Sequence, residues 1–234
     1  MQASERVDLF YKLGRLGSDQ RTFTDIDLIA HSKQRSQIRK FLEKTLGYKT
    51  DQYAVLMHGN QRMIFHHPEG RYSIDVFYDR LQYSHEIHLG SNPKDSRLSL
   101  DPVTISPTDL ILEKLQIHEI NEKDIKDIIT LLAACELSQE EGRGKINHVY
   151  VARLLANDWG FWHDAWTNLD KVTHFAQKYR EEGKLDQQLL GRVLSGISEL
   201  FRKIDEMPKT KEWQKRSKDG ANKKWWNEVE ERSR

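Results

Sequence analysis

The chain lacks the marks of disulfide-rich, secreted and membrane-spanning proteins. Cys135 is its only cysteine, so no disulfide can form within the chain. No apolar run approaches the ~18 residues that cross a membrane, and the first residues, MQASER, have no signal-peptide character. These absences predict a cytoplasmic protein without a membrane partner, in which Cys135 is a small core residue.

The chain also lacks an excess of either charge. Its 37 lysines and arginines nearly cancel its 36 aspartates and glutamates, so the net charge argues neither for nor against a nucleic-acid partner. Internal repeats and low-complexity segments are missing as well. With 234 residues, of which 37% are hydrophobic and 31% charged, the sequence fits one large or two small globular domains that are rich in helix.

Strand signals and helix signals change over near residue 105. Before it, the alternation of apolar residues predicts strands at 21–30, 53–58, 62–67 and 72–78, weaker ones at 85–89 and 103–105, and helices at 2–13 and 33–46, the latter capped by Ser32. After it, Ser106, Asn121 and Asn147 are predicted N-caps, and long helices are expected at 159–179 and 186–204. The polar segment 138–145 is the predicted linker.

These signals predict an α+β fold in two parts. A small mixed β-sheet domain is expected over residues 1–138, followed by an all-helical domain over residues 146–234. Tryptophans 159, 162 and 166 lie at helical spacing, which is more typical of a core than of a ligand site. The histidines of the strand region, including His85, do not have the spacing of a zinc site and are interpreted as surface residues.

Two aspartates in the strand RTFTDIDLIA carry the clearest chemical signal. Asp25 and Asp27 are two residues apart, which in a strand places both side chains on one face, with Ile26 and Leu28 turned into a core. The later strand YSIDVFY offers Asp75. If the two strands are neighbours, the three carboxylates form a cluster suited to Mg²⁺ and to two-metal nucleotidyl transfer. The alternative is an ordinary solvated face, because surface strands often alternate in the same way.

The motifs RTFTDIDLI and IDVF, separated by a helix, resemble those of the minimal nucleotidyltransferases of the polymerase-beta superfamily. This superfamily includes the aminoglycoside and lincosamide nucleotidyltransferases and the toxin-type enzymes of phage defence. The resemblance covers roughly residues 5–135. It implies a nucleotidyltransferase-like first domain that binds a nucleoside triphosphate such as ATP. It also implies that Asp25, Asp27 and Asp75 are catalytic and hold Mg²⁺ or Mn²⁺, with Asp75 in some members acting as the base.

Two helical motifs extend the resemblance. TDLILEKL resembles the toxin-type motif whose lysine faces the nucleotide, and EKDIKDII resembles the helix that follows it. The match implies that Lys114 contacts the nucleotide phosphates and that Asp127 pairs with Lys114 or orients it. The alternative left open is that both are exposed helix charges in local ion pairs.

The loop expected to cradle the triphosphate departs from the family pattern. Family members place Gly-Gly or Gly-Ser at a helix start ahead of the paired aspartates, where backbone N–H groups face the phosphates. Here six residues separate Gly17-Ser18 from Asp25. In another register the motif falls at Ala3-Ser4, and in that register either the glycines are missing or the chain begins late. We therefore expect weak nucleotide binding and low or absent transfer.

Two functions from different classes follow from these motifs. The first is metal-dependent transfer of a nucleoside monophosphate to an acceptor hydroxyl on a small molecule, a protein or RNA. The second is a non-catalytic nucleotide-sensing or interaction module that keeps the fold. The basic segment 209–224, with Trp213 inside it and Trp225 and Trp226 just beyond, combines the residues that bind single-stranded nucleic acid. Helices packed by their tryptophans are the favoured interpretation of that segment.

Overall fold

The computed structural model describes residues 3–15, 25–101 and 104–228. They form two compact units. The sheet unit contains residues 25–82, 86–101 and 104, and the helical unit contains residues 3–15, 83–85 and 105–228. The predicted α+β class, with a small mixed sheet and a series of helices after it, is confirmed. The first residues of the predicted strands 21–30 and 103–105 lie outside the described residues.

A four-stranded mixed sheet forms the centre of the sheet unit. Its strand order is β1-β4-β3-β2, so β1 is an edge strand. β1 runs parallel to β4, whereas the other neighbours are antiparallel. A separate hairpin joins β5 to β6. The strands are β1 (Asp25–Ala30), β2 (Lys49–Thr50), β3 (Arg62–His66), β4 (Ser73–Tyr78), β5 (Arg80–Gln82) and β6 (Glu86–His88).

One face of this sheet packs against two short helices. α2 (Arg35–Lys40) continues as a π-helical segment at Phe41–Thr45, and α3 (Gln52–His58) follows β2. Ile38 of α2 and Val55 of α3 contact the buried cluster on that face. The cluster consists of Leu42, Tyr48, Met63, Phe65, Ile74, Val76 and Tyr78. Because side chains alternate along a strand, the opposite face of β4 carries Ser73, Asp75 and Phe77.

The strand predicted at 53–58 is wrong, because these residues form α3. Asp51 caps this helix, and its carboxylate accepts the N–H of Ala54 at 2.9 Å. The predicted cap of the preceding helix is also displaced by one residue: we expected Ser32, and the structure has His31 at this position. A short 3₁₀ turn at Ser32–Gln34 begins that helix, and the N–H of His31 donates to Oε1 of Gln34 at 3.1 Å.

The burial expected for Ile26 and Leu28 is also wrong. Their register partners on β4 are Ile74 and Val76, so both side chains do lie on the core-facing side of the sheet. They are nevertheless 41% and 44% exposed. The reason is the edge position of β1, which has a neighbouring strand on one side only.

The helical unit is built from seven α-helices among the described residues. Ser106, Asn121 and Asn147 cap helices as predicted, and the side chain of each accepts the backbone N–H of the third residue of its helix. Cys135 is buried, as expected. None of the described helices is long and apolar enough to cross a membrane. The helices are α1 (Ala3–Lys12), α4 (Pro107–Leu115), α5 (Glu122–Ala134), α6 (His148–Leu155), α7 (Trp159–Glu181), α8 (Gln187–Glu206) and α9 (Lys211–Ser217).

The predicted linker lies inside the helical unit. It connects β7 (Glu136–Ser138) to β8 (Lys145–Asn147), two short strands that pair in parallel. Within it, the carboxylate of Glu141 accepts the Thr108 hydroxyl of α4 at 2.8 Å. The segment is therefore a loop that a hydrogen bond holds to α4. The predicted division into domains, which end at residue 138 and begin at residue 146, stays a prediction that the two parts fold independently.

Limited proteolysis tests that division. We expect cleavage within residues 139–144, where most of the chain is exposed. Because β7 pairs with β8 and α4 packs against β8, the two fragments should remain together in native gel filtration and separate only in denaturant. Fragments that separate without denaturant would contradict this and show two independent domains.

Candidate functional site

The three predicted aspartates lie on one face of the sheet. β1 and β4 are parallel neighbours, and Asp27 is the register partner of Asp75 while Asp25 is the partner of Ser73. Residues in register on adjacent strands point to the same side, as do residues two apart on one strand. The condition stated for a three-carboxylate cluster, that the two strands are neighbours, is met.

Polar contacts hold this carboxylate face in place. Arg62 of β3 donates from Nη2 to Oδ2 of Asp75, and its guanidinium carbon lies 5.1 Å from the centroid of the Phe77 ring. The hydroxyl of Ser73 donates to Oδ1 of Asp25 at 3.0 Å. Oδ1 of Asp75 is buried and accepts no hydrogen bond from the described residues. The face thus combines three carboxylates with one guanidinium.

The chemistry of these donors suits a hard divalent cation, but their arrangement is not a preformed chelate. Carboxylate oxygens are the ligands that Mg²⁺ takes, and the unpartnered oxygen of Asp75 is one available acceptor. Within the described ranges, no group of three or more His, Cys, Asp or Glu is gathered closely enough to hold a metal ion. Arg62 forms an ion pair with the other oxygen of Asp75. A cation that binds both oxygens of Asp75 would therefore have to displace Arg62.

The predicted phosphate loop, Gly17-Ser18, lies outside the described residues. Its role stays a prediction from the sequence.

Lys114 of the helical unit lies among acidic side chains. Its Nζ is 3.1 Å from Asp124, 3.4 Å from Glu113 and 3.6 Å from Asp127. Burial by itself lowers the pKa of Lys114, but the three carboxylates outweigh it and raise the pKa above its ordinary value. Arg15 also pairs with Asp127, with Nε 2.5 Å from Oδ1. Lys114 is therefore protonated and largely neutralised, and its predicted contact with phosphates stays a prediction.

A buried carboxylate that the sequence did not reveal joins four segments of the helical unit. Asp164 of α7 is 3% exposed. Its Oδ2 accepts a hydrogen bond from Nε2 of His85 at 2.8 Å. Its Oδ1 accepts hydrogen bonds from Nδ1 of His118 and from Nε1 of Trp225, both at 3.0 Å. Burial raises the pKa of Asp164, but these three hydrogen bonds outweigh it and hold the pKa below its usual value. The surface interpretation of His85 is wrong, since Asp164 and the stacked Phe161 ring enclose it.

The tryptophans form a packed row, as predicted. Trp159 is buried, and Trp162 and Trp166 are half-buried beside it on α7. Trp162 meets Trp213 of α9 with ring centroids 5.2 Å apart, and Trp166 meets Phe201 of α8 at 4.4 Å. These contacts favour a packing role for the tryptophans of the basic segment.

Comparison with known proteins adds no relative. The chain matches no family model, no curated protein and no solved structure. The resemblance to nucleotidyltransferases therefore depends on the aspartate motifs and on the strand register that brings them to one face.

Proposed function

We propose that the sheet unit is a nucleotidyltransferase-like domain that moves a nucleoside monophosphate from a nucleoside triphosphate to an acceptor hydroxyl with the help of Mg²⁺. The observation that carries the proposal is the register of β1 and β4, which places Asp27 beside Asp75 and Asp25 on the same face. Three carboxylates on one face of the sheet supply the oxygen ligands that metal-assisted phosphoryl transfer uses.

Each residue has a separate task in this proposal. Asp25 and Asp27 would hold the metal through their carboxylate oxygens, and the metal would supply positive charge against the phosphates. Oδ1 of Asp75 has no partner among the described residues and accepts the proton of the acceptor hydroxyl. The acceptor oxygen then bonds to the α-phosphorus, and pyrophosphate leaves with the electrons of the broken P–O bond. Arg62 orients Asp75 through its other oxygen.

A second candidate is nucleotide binding without transfer. The observation that favours it is the ion pair between Arg62 and Asp75, which neutralises the third carboxylate and keeps it from a metal. A guanidinium on this face is itself a good donor to phosphate. The protein would then sense a nucleotide through the same fold.

Replacing Asp75 separates the two candidates. If the protein is an enzyme, Asp75→Ala removes transfer of label from an α-labelled nucleoside triphosphate to RNA, protein or small acceptors of a cell extract, while circular dichroism shows an intact fold. Asp95→Ala is the matched control, because Asp95 is an exposed aspartate of the same unit. We expect the control to keep the wild-type level, even where that level is low.

Two outcomes would count against the enzyme. Transfer that survives in Asp75→Ala would remove Asp75 from the mechanism. A wild-type chain that binds the nucleotide but transfers nothing, and that loses this binding in Arg62→Gln, would establish the sensing function instead.

A further inference from the structure

The sheet unit contains a cavity on the side of its helices. Its volume is about 630 Å³, and residues from the start of α2, from α3 and from the beginning of β3 line it. Met63, one of the lining residues, belongs to the core-facing side of β3, whereas its neighbour Arg62 contacts Asp75 on the other face. The cavity is therefore separate from the face of the three aspartates.

The charge of this cavity is of one sign. Lys33, Arg35, Arg39 and His58 line it, and among the lining residues that the structure describes there is no aspartate or glutamate. Arg39 is paired with Glu43 outside the lining, with Nε and Oε1 3.0 Å apart. Lys33 and Arg35 form no ion pair within the described part of the chain, although Asp79 lies near Arg35. Burial raises the pKa of Asp79, but hydrogen bonds from Ser32 and the charges of His31 and Arg35 lower it below its usual value. The cavity therefore keeps a positive charge that attracts an anion.

The guanidinium of Arg35 is held in position with donors to spare. Its Nη2 donates to the carbonyl oxygen of Asn60 at 2.5 Å, and its central carbon lies 4.7 Å from the centroid of the Tyr78 ring. Its Nε is buried without a hydrogen-bond partner among the described residues, and Nη2 makes the one hydrogen bond that the described residues show for this side chain. A fixed planar guanidinium with free N–H groups matches the oxygens of a phosphate, and its orientation is already set before binding.

Apolar side chains lie beside these cations. Leu56 and Met57 of α3 line the cavity and are 82% and 52% exposed, while Val55 and Met63 form its more buried part. Exposed apolar side chains at the rim of a charged cavity mark a place where a ligand buries an apolar group. An inorganic anion would leave the apolar side chains of Leu56 and Met57 in contact with water.

We propose that this cavity binds an organic phosphate monoester, with the phosphate on Lys33 and Arg35 and a flat apolar group against Leu56 and Met57. The same chemistry occurs in a small phosphorylated metabolite and in the terminal phosphate of a nucleic-acid strand. The cavity is also large enough for such a group rather than for phosphate alone. This binding is independent of metal and of the three aspartates.

Calorimetric titration of the full chain in the presence of EDTA tests the proposal, because EDTA removes divalent metal ions and leaves only metal-independent binding. The probes are inorganic phosphate, phenyl phosphate and a hexanucleotide with and without a 5′-phosphate. We expect phenyl phosphate to bind more tightly than inorganic phosphate. Arg35→Gln and Lys33→Gln should each weaken both by about tenfold or more, since each removes a charged donor. Leu56→Ser should weaken phenyl phosphate alone.

Controls separate a site from general attraction and from misfolding. Arg71→Gln removes an exposed arginine of the same unit that does not line the cavity, and it should leave all affinities unchanged. Lys33 is exposed, so its variant reports on charge without disturbing packing. A 5′-phosphorylated strand that binds more tightly than phenyl phosphate would identify the nucleic-acid source, and weaker binding would identify the small ester.

The proposal is overturned if wild type binds no phosphate ester at millimolar concentration. It is equally overturned if Lys33→Gln and Arg71→Gln weaken the binding of phenyl phosphate alike.

Discussion

Replacing Asp25 and Asp27 together by asparagine abolishes the binding of Mn²⁺ by the protein. The two carboxylates lie on one face of β1, and their loss leaves only Asp75, which Arg62 already holds. Loss of a residue that merely supports a metal ligand lowers affinity by about 10–100-fold. We therefore expect the loss of two ligands to lower affinity by more than about 100-fold, measured by the decrease of the free Mn²⁺ signal in electron paramagnetic resonance.

Asparagine has nearly the size of aspartate, so the double variant tests charge rather than packing. Asp95→Asn serves as the matched control because it removes one exposed carboxylate of the same unit, and it should bind Mn²⁺ as wild type does. Equal Mn²⁺ binding by a folded Asp25→Asn, Asp27→Asn variant would reject the metal site.

Removing the carboxylate of Asp164 should strongly destabilise the helical unit. Asp164→Ala leaves the buried donor of His85 and the half-buried donors of His118 and Trp225 without their acceptor. Breaking a buried charged network of this kind costs about 3–5 kcal/mol, a large part of the roughly 5–15 kcal/mol that holds a protein folded. Urea denaturation followed by tryptophan fluorescence measures the loss, since Trp225 is one of the partners.

Asp170→Ala is the control for this variant. Asp170 lies on the same helix, and its side chain is 65% exposed, so its loss should change the free energy of unfolding by no more than about 0.5 kcal/mol. An Asp164→Ala protein as stable as this control would show that the network does not hold the four segments together.

The contribution of Asp164 to the free energy of unfolding should also depend on pH in the acidic range. The pKa of Asp164 is lower in the folded protein than its ordinary value of 3.8, so on acidification the unfolded chain takes up the proton first. The stability that this carboxylate contributes is complete above the unfolded pKa and disappears as the pH falls through the folded pKa. Between about pH 5 and pH 3 the urea midpoint of wild type should therefore fall more steeply than that of Asp164→Asn.

Local signals in the sequence predicted much of the fold. The caps Ser106, Asn121 and Asn147 marked helix starts because a short polar side chain satisfies free N–H groups there. Alternation of apolar residues likewise located β1 and β4, and the adjacency of these strands was a stated condition that the structure meets. These features depend on residues close together in the chain.

The errors came from contacts that a single segment does not contain. Apolar residues at 53, 55 and 57 alternate like a strand, but the Asp51 cap and the packing of Val55 on the core make the segment a helix. The exposure of Ile26 follows from the edge position of β1. The Asp164 network joins residues 85, 118, 164 and 225, and no local periodicity relates these positions.

Calorimetric titration of ATP into the full chain, with and without Mg²⁺, tests the central claim most directly. The nucleotidyltransferase proposal predicts that Mg²⁺ increases the affinity for ATP and that Asp25→Asn, Asp27→Asn removes this increase while Asp95→Asn retains it. An affinity for ATP that is the same with and without Mg²⁺, or an Mg²⁺-dependent increase that the double variant keeps, would contradict the assignment of Asp25, Asp27 and Asp75 to a metal-dependent nucleotide site.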